Sequence, residues 1–108
     1  MNNLNIEKLD SDIIPFTNNR EIHEKLNDIK ISQPYLTKYE YAKIIGISAQ
    51  QIESGRKPLI QPPSSYIHPI EIAEYELKQK KTPIIIKRKL PNNVNEYFTL
   101  DQLIINNL

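Results

Sequence analysis

Few side chains in this sequence could perform catalysis. The chain has no cysteine and two histidines, His23 and His68. A nucleophile and a base would have to come from scattered serines, threonines, lysines and carboxylates, and the sequence has neither a glycine-rich phosphate loop nor carboxylates at metal-ligand spacing. His68 precedes Pro69, which favours a residue at a helix entry over a ligand, and His23 is typical of a solvated side chain. We therefore predict no catalytic residue, no cofactor and no metal site.

The densest positive charge is the run Lys87-Arg88-Lys89. These side chains could contact nucleic-acid phosphates, but alternate residues of a strand point to opposite faces, so only part of the run can form one patch. The formal net charge of +1 is also far from the strongly basic balance of proteins that bind phosphate backbones. An acidic surface on a partner protein explains the run equally well.

The stretch that contains this run predicts a helix, a stop and a strand. Pro69 suits the first helical turn, where no backbone N–H is lost, and Pro83 disfavours further helix before it. The β-branched run Ile84-Ile85-Ile86 then favours a strand that continues into the basic residues. On the helix we expect Ile70, Ala73 and Leu77 on one apolar face, and the pairs Glu74/Lys78 and Glu76/Lys80 on the solvent side.

An earlier helix is predicted to begin after Thr37. Thr37 and Glu40 form the Thr-x-x-Glu pattern of a capping box, and Gly55 is a natural end because glycine adopts positive φ at little cost. Gly46 lies inside this helix, where glycine costs about 1 kcal/mol relative to alanine, which suggests that another backbone or helix approaches closely there. The apolar stripe of the helix consists of Tyr41, Ile45, Ala49 and Ile52, widened by Ala42 and Ile44.

The chain is predicted to divide near Pro34. Residues 1–34 are expected to form an N-terminal tail that is mobile or ordered by a partner, with one short helix between Asn19 and Lys30. Residues 35–108 are expected to form an α+β domain: a small two-helix core followed by a β-hairpin and a short C-terminal turn. The hairpin prediction rests on the turn residues Pro91-Asn92-Asn93, on Val94, Tyr97 and Phe98 as a returning strand, and on a second capping pattern at Thr99 and Gln102.

Length and hydropathy narrow the class further. A chain of 108 residues fits one domain with a modest core. Neither a signal peptide nor an apolar run of about 18 residues is present, which predicts a soluble, intracellular protein without membrane contact. A homo-oligomer is not expected. Two helices and a hairpin are expected to leave apolar surface for another chain to cover, drawn from Tyr41, Ile44, Ile45, Ile84, Ile86, Leu103 and Ile105.

Three blocks of the sequence resemble a known family in the same order. They are LTKYEYAKIIGISAQQI (36–52), HPIEIAEYELKQKKTPIIIKRKLPN (68–92) and EYFTLDQLII (96–105). Together they are similar to the omega family of multisubunit DNA-directed RNA polymerases, in the archaeal and eukaryotic branch that contains the shared sixth subunit, called subunit K in archaea.

The resemblance implies a non-catalytic subunit that latches onto the largest polymerase subunit and promotes assembly and stability of the transcribing enzyme. Its partners would be the largest and other polymerase subunits, and it would meet nucleic acid only through the complex. Catalysis, magnesium and nucleotides belong to the large subunits in this family. The residues that match the family's motifs, and are therefore expected to bind the partner, are Tyr39, Glu40, Ala42, Gly46, Ala49, Gln51, Ile52, Pro69, Ala73, Leu77, Lys87 and Arg88.

Two positions depart from the family pattern. Ser48 stands where the family usually has arginine, and His68 stands where it has aspartate, so a role for either family residue does not transfer to this chain. The chain is also rich in Ile, Asn and Lys and poor in Arg, as AT-rich coding sequences are. These features suggest a divergent member, for example from a large DNA virus. The resemblance places the protein with its polymerase, in the nucleus of a eukaryotic cell or in a virion or host cytoplasm.

An alternative is a helix-turn-helix regulator that binds DNA. Ala42, Gly46 and Ile52 have the spacing of such a motif, and Ile47-Ser48 resembles the start of a recognition helix. That helix would need about two further turns, whereas Gly55 and the following basic residues and proline end it early. The polymerase family accounts for three blocks and the DNA-binding motif for one, so we favour the former.

Overall fold

The computed structural model of the chain describes residues 10–91 and 93–105. Residues 1–9 of the predicted tail, Asn92 of the predicted turn and residues 106–108 lie outside that part. The described residues form three α-helices and a three-stranded antiparallel sheet, which confirms the α+β prediction. In chain order the elements are β1 (Asp10–Pro15), α1 (Arg20–Lys25), α2 (Lys38–Glu53), α3 (Pro69–Lys78), β2 (Ile84–Lys89), β3 (Asn95–Phe98) and a 3₁₀ helix (Leu100–Gln102).

The sheet has the order β1-β2-β3, and complementary residues set the register of its first pair. Asp10 lies opposite Lys89 and Asp12 opposite Lys87, while at the other end isoleucines lie opposite isoleucines. Cross-strand pairs of opposite charge or of β-branched residues each contribute roughly 0.2–1 kcal/mol. A shift by one residue would turn every side chain of β1 to the opposite face of the sheet, so this register is well specified.

The two faces of the sheet are covered by different helices. Ile84 and Ile86 of β2 point to one side, where α2 and α3 pack, and Ile85 points to the other side, toward α1. The larger core cluster also contains Leu36, Ile44, Ile45, Ala49, Ala73, Leu77, Phe98, Leu100 and Leu103, and the smaller cluster contains Leu26 and Tyr97.

Both ends of α2 follow local sequence signals. The Thr37 hydroxyl accepts from the Glu40 N–H at 3.0 Å, and the Glu40 carboxylate accepts from the Thr37 N–H at 3.1 Å, so the predicted capping box is confirmed. At the other end Gly55 has φ +116°, and the N–H groups of Gly55 and Arg56 donate to carbonyls of the last turn. This is a Schellman motif, and Gly55 ends the helix as predicted.

Helix α3 begins and ends near its predicted bounds. Pro69 occupies the first helical position, and His68 precedes it without a side-chain capping bond. After the helix Lys80 adopts φ +57°, a left-handed conformation that is costly for a residue with a Cβ. Its ammonium group donates to the Leu103 carbonyl at 2.8 Å, which offsets part of that cost and ties the end of α3 to the C-terminal segment.

The structure contradicts the helix-turn-helix alternative. Helix α2 runs without interruption through Gly46 and Ser48, where that motif needs its turn. The next helix begins at Pro69, after a loop of more than a dozen residues. The helix-turn-helix interpretation of this stretch is therefore wrong.

The N-terminal stretch contributes more to the fold than the sequence predicts. Strand β1, which was not predicted, pairs with β2 over six residues. Helix α1 is shorter than the predicted helix, and Ile29 lies beyond its end with 95% of its surface exposed. His23 is not simply solvated, because its Nε2 lies 2.6 Å from the Thr17 carbonyl oxygen. Part of the predicted tail thus belongs to the sheet, while ordering of residues 1–34 by a partner stays a prediction.

The N-terminal stretch helps to bury apolar residues that were predicted to remain exposed for another chain to cover. Ile44, Ile45, Ile84, Ile86 and Leu103 are all buried within the chain, and Tyr41 and Ile105 are partly buried. Ala73 and Leu77 of α3 are buried as expected, but Ile70 is 57% exposed. The chain therefore completes most of its own core, because β1, α1 and the segment before α2 cover faces that two helices and a hairpin would leave open.

Candidate functional site

A row of buried polar side chains crosses the sheet next to the start of α2. Ser11 of β1 lies opposite Arg88 of β2, which lies opposite Glu96 of β3. Glu40 reaches this row from the first turn of α2. Arg88 and Glu40 have no exposed surface, and a buried charge is stable only when it is paired and hydrogen-bonded.

Arg88 uses all five of its N–H donors. Its Nε and Nη2 donate to the two carboxylate oxygens of Glu40, each at 2.9 Å. Nη1 donates to the Ser32 hydroxyl at 3.0 Å and to the Gln33 carbonyl at 2.7 Å, and Nη2 also donates to the Tyr35 carbonyl at 2.7 Å. A bidentate pair of this kind has the geometry that arginine, and not lysine, can provide.

Glu40 is equally well supplied with donors. Besides the two bonds from Arg88, its oxygens accept from the Ser11 hydroxyl at 2.6 Å and from the Thr37 N–H at 3.1 Å. Burial raises the pKa of Glu40, but the hydrogen bonds from Arg88 and Ser11 and the charge of Arg88 outweigh it, so the pKa lies below its ordinary value of 4.5. Glu40 is therefore ionised at neutral pH.

Glu96 extends the network to residues 31–36, the segment that leads into α2. Its carboxylate accepts from the backbone N–H of Ile31 and from both the N–H and the hydroxyl of Ser32. At the end of the segment Leu36 N–H donates to the Ile104 carbonyl at 2.9 Å. Arg88 and Glu96 thus join β2 and β3 to the entry of α2, and Leu36 joins that entry to the C-terminal segment.

A second buried carboxylate fixes the loop after α2. Glu76 of α3 is fully buried and accepts from both terminal nitrogens of Arg56, at 3.0 and 2.8 Å. It also accepts from the Leu59 N–H at 2.9 Å, and Arg56 Nε donates to Gln51 at 3.2 Å. The loop is therefore held against α3 by an ion pair and a backbone hydrogen bond.

These two networks correct two sequence predictions. Arg88 was predicted in a basic run that could contact phosphates or an acidic partner, and Glu76 in a solvent-side pair with Lys80. Both side chains are instead buried in other pairings. Strand alternation separates Arg88 from its lysine neighbours but does not say which face is covered. Lys89 stays exposed, with its ammonium 3.8 Å from Asp12.

The predicted partner-binding residues do not form one surface. Five of them support the interior, namely Glu40, Ala49, Ala73, Leu77 and Arg88. Ile52, Pro69 and Lys87 are partly buried, and Tyr39, Ala42, Gly46 and Gln51 are exposed. Because Tyr39, Ala42 and Gly46 are spaced three and four residues apart, they share one outward face of α2, which we call the α2 outer face. Direct binding of a partner by these residues stays a prediction.

Gly46 has open space around it within the chain. A Cβ placed on Gly46 would meet no atom within 4 Å. Among the described residues no other element approaches Gly46 closely, so the inference of a close approach is wrong for this part of the chain. A close approach by a partner at the α2 outer face stays a prediction.

Ser48 is buried without compensation. Its side chain has no exposed surface, and its hydroxyl has no hydrogen-bond partner in the part of the chain that the structure describes. A buried polar group left unpaired costs about 1–3 kcal/mol. Ser48, which departs from the family pattern, is thus a buried polar residue of the core.

Two general features of the described residues bear on function. No three His, Cys, Asp or Glu side chains among residues 10–91 and 93–105 are grouped so that they could hold a metal ion. In the same part of the chain, no helix has the length and apolar character needed to cross a membrane.

Comparison with known proteins defines the class. The family model described as RNA polymerase Rpb6 matches residues 30–84, which begin just before the segment leading into α2 and extend to the first residue of β2. The chain thus falls in the class of RNA polymerase subunits.

Individual relatives agree with this class. Subunit Rpo6 of the DNA-directed RNA polymerase of Aeropyrum pernix is 40% identical over 77 residues, which cover 70% of this chain and 86% of the relative. The probable subunit RPABC2 of RNA polymerases I, II and III of Caenorhabditis elegans is 41% identical over 73 residues, or 68% of this chain and 53% of the relative. RPABC2 of Saccharomyces cerevisiae is 38% identical over 78 residues, or 72% of this chain and 50% of the relative.

The chain belongs to the RNA polymerase Rpb6 family, as its three sequence blocks predicted. The match spans most of the archaeal relative but only about half the length of these two eukaryotic relatives.

Proposed function

We propose that this chain is a non-catalytic subunit of a DNA-directed RNA polymerase, which latches onto the largest subunit and promotes assembly and stability of the enzyme. The observation that supports this function best is the 40% identity to an archaeal polymerase subunit over 86% of that subunit's length. In this proposal the chain meets nucleic acid only through the complex and acts wherever its polymerase acts.

The α2 outer face is the surface best suited to the latch. Ala42 carries only a methyl group and Gly46 has no side chain, so a partner helix or strand can approach the α2 backbone closely. Tyr39 beside them is 53% exposed. The Glu40–Arg88 network holds the first turn of α2 in place against the sheet. A helix that is already fixed loses little conformational freedom on binding, which favours affinity.

Co-purification tests the function directly. A tagged chain produced in its native source should recover the largest polymerase subunit, and a preparation that contains no polymerase component would refute the proposal. The chain alone should bind duplex DNA only weakly at physiological salt, whereas a site-specific DNA-binding protein would reach a Kd of about 10⁻⁸ M or tighter.

A matched pair of variants tests the surface. Gly46→Leu adds a large side chain to the α2 outer face and should reduce recovery of the largest subunit while the chain remains folded. Ser64→Leu makes a similar change in an exposed loop and should leave recovery unchanged. Equal recovery with both variants would exclude the α2 outer face as the latch.

A further inference from the structure

A small pocket lies between α3 and the loop that precedes it. Its volume is about 130 Å³, and it is lined by Tyr66, Glu71, Glu74, Tyr75 and Lys78. The rings of Tyr66 and Tyr75 meet at 88° with their centroids 5.7 Å apart. The pocket therefore has two aromatic walls at right angles as well as charged groups.

Within residues 10–91 and 93–105, the carboxylates of this pocket have no cationic partner. Glu71 and Glu74 are three residues apart on α3, so they lie on the same side of the helix, and both are partly buried. In the described part of the chain Glu71 makes no hydrogen bond or ion pair, and Glu74 accepts one long bond, from the Tyr41 hydroxyl at 3.4 Å. Burial and the neighbouring Glu74 raise the pKa of Tyr41, as expected for a negative potential there.

Neither the helix nor Lys78 neutralises this charge. The positive end of the α3 dipole favours Glu71 in the first turn, but its effect fades before Glu74. Lys78 is exposed at the rim, and among the described residues its ammonium lies within ion-pair distance of no carboxylate and over no ring.

We propose that this pocket binds the guanidinium group of an arginine side chain from a partner protein. Aromatic faces attract cations, and a planar guanidinium can stack on one ring while its N–H groups donate to two carboxylates. An ammonium group has neither the plane nor the fork. The proposal concerns α3 and does not depend on the α2 outer face or on which polymerase subunit is the partner.

Nuclear magnetic resonance of the full chain with ¹³C-labelled tyrosine tests the pocket. N-acetyl-arginine amide should shift the ring signals of Tyr66 and Tyr75 saturably, with a Kd in the millimolar range, and should leave the distant Tyr97 unshifted. N-acetyl-lysine amide at the same ionic strength should bind more weakly. Absence of a saturable shift at Tyr66 and Tyr75, or equal binding of the lysine compound, would overturn the proposal.

Isosteric variants test whether the carboxylate charges contribute to binding, because glutamine removes the charge and keeps the size of the side chain. The double variant Glu71→Gln/Glu74→Gln should weaken binding at least about tenfold, since it removes two charge-assisted contacts. Lys78→Gln removes a positive charge at the rim that repels the guanidinium, and should tighten binding about two- to fivefold. Glu53→Gln at the exposed end of α2 is the control and should change nothing. Unchanged binding in the double variant would overturn the proposal.

The same preparations distinguish this proposal from the proposed function. A chain that binds the arginine compound but recovers no polymerase subunit would support the pocket and refute the polymerase role. A chain that recovers the polymerase but shows no shift at Tyr66 and Tyr75 would support the polymerase role and overturn the arginine pocket.

Discussion

At the scale of single residues, Arg88 holds the polar interior together. Its guanidinium joins a carboxylate from α2, a serine hydroxyl and two carbonyls of the segment before α2, and it lies 4.6 Å from the centre of the Phe98 ring. Loss of Arg88 would leave the buried Glu40 charge without its cationic partner and would remove a donor from the Ser32 hydroxyl and from both carbonyls. The cost of removing Arg88 should therefore exceed that of removing either neighbouring lysine.

We expect Arg88→Met to lower the free energy of unfolding by about 3–5 kcal/mol, because it leaves the Glu40 charge buried and unpaired. Lys89→Met is the matched control. Its ammonium is half-exposed and 3.8 Å from Asp12, so its loss should cost less than about 1 kcal/mol. Urea unfolding followed by circular dichroism measures the free energy of unfolding of both variants. Similar losses in the two variants would contradict the special role of the buried pair.

The lowered pKa of Glu40 predicts a dependence of stability on pH. In the unfolded chain the group titrates near 4.5 and in the folded chain below it, so its contribution is complete above about pH 4.5 and is lost as the pH falls toward the folded pKa. Glu40→Gln should therefore be less stable at neutral pH and should show a shallower loss of stability in acid.

Unfolding curves at a series of pH values measure this slope. Glu53→Gln, at an exposed position on the same helix, should keep the slope of the unmodified chain. If Glu40→Gln kept that slope as well, the acid sensitivity would have to arise at other carboxylates.

At the scale of elements, local signals determine the ends of α2 and α3 and the start of β2. The capping box at Thr37, the glycine at the end of α2 and the prolines around α3 act within a few residues of chain, so they can be found in the sequence alone. Strand β1 has no such signal. Its Asp-Ser-Asp and Ile-Ile-Pro halves become a strand only when paired with the basic and isoleucine halves of β2.

The two glycines of the chain should respond oppositely to alanine. Gly46 lies in the middle of α2 with open space around it, so Gly46→Ala should stabilise the isolated chain by roughly 0.5–1 kcal/mol. Gly55 has φ +116°, which a residue with a Cβ rarely adopts, so Gly55→Ala should destabilise it by about 1 kcal/mol or more. Thermal unfolding compares the two. A loss of stability in Gly46→Ala would mean that α2 is not free on its outer face.

At the scale of the whole molecule, the core is closed by segments that are distant in sequence. Strand β1 covers one edge of β2, α1 covers one face of the sheet, and the segment before α2 pairs with the C-terminal residues. The chain should accordingly fold as one unit in which the N-terminal stretch takes part.

We expect removal of residues 1–18 to lower the free energy of unfolding by more than about 3 kcal/mol, because it exposes the edge of β2 and removes Ser11 from buried Glu40. Asp12→Asn in the full chain is the control. It weakens only two exposed ion pairs, at 4.0 and 3.8 Å, and should cost less than about 1 kcal/mol. Calorimetry compares the three chains, and a truncated chain of unchanged stability would mean that β1 is dispensable for folding.

The sequence by itself determined the family, through its three blocks, and the α+β class. It also determined both main helices and the strand after Pro83, because caps, prolines and β-branched residues act on the backbone that contains them. Only the tertiary structure decided which charges are buried. Arg88 and Glu76 look like surface residues in the sequence, and Glu40 looks like a capping residue alone. Each is buried because elements far apart along the chain bring its partners to it, and that proximity is set by the packing of the whole fold.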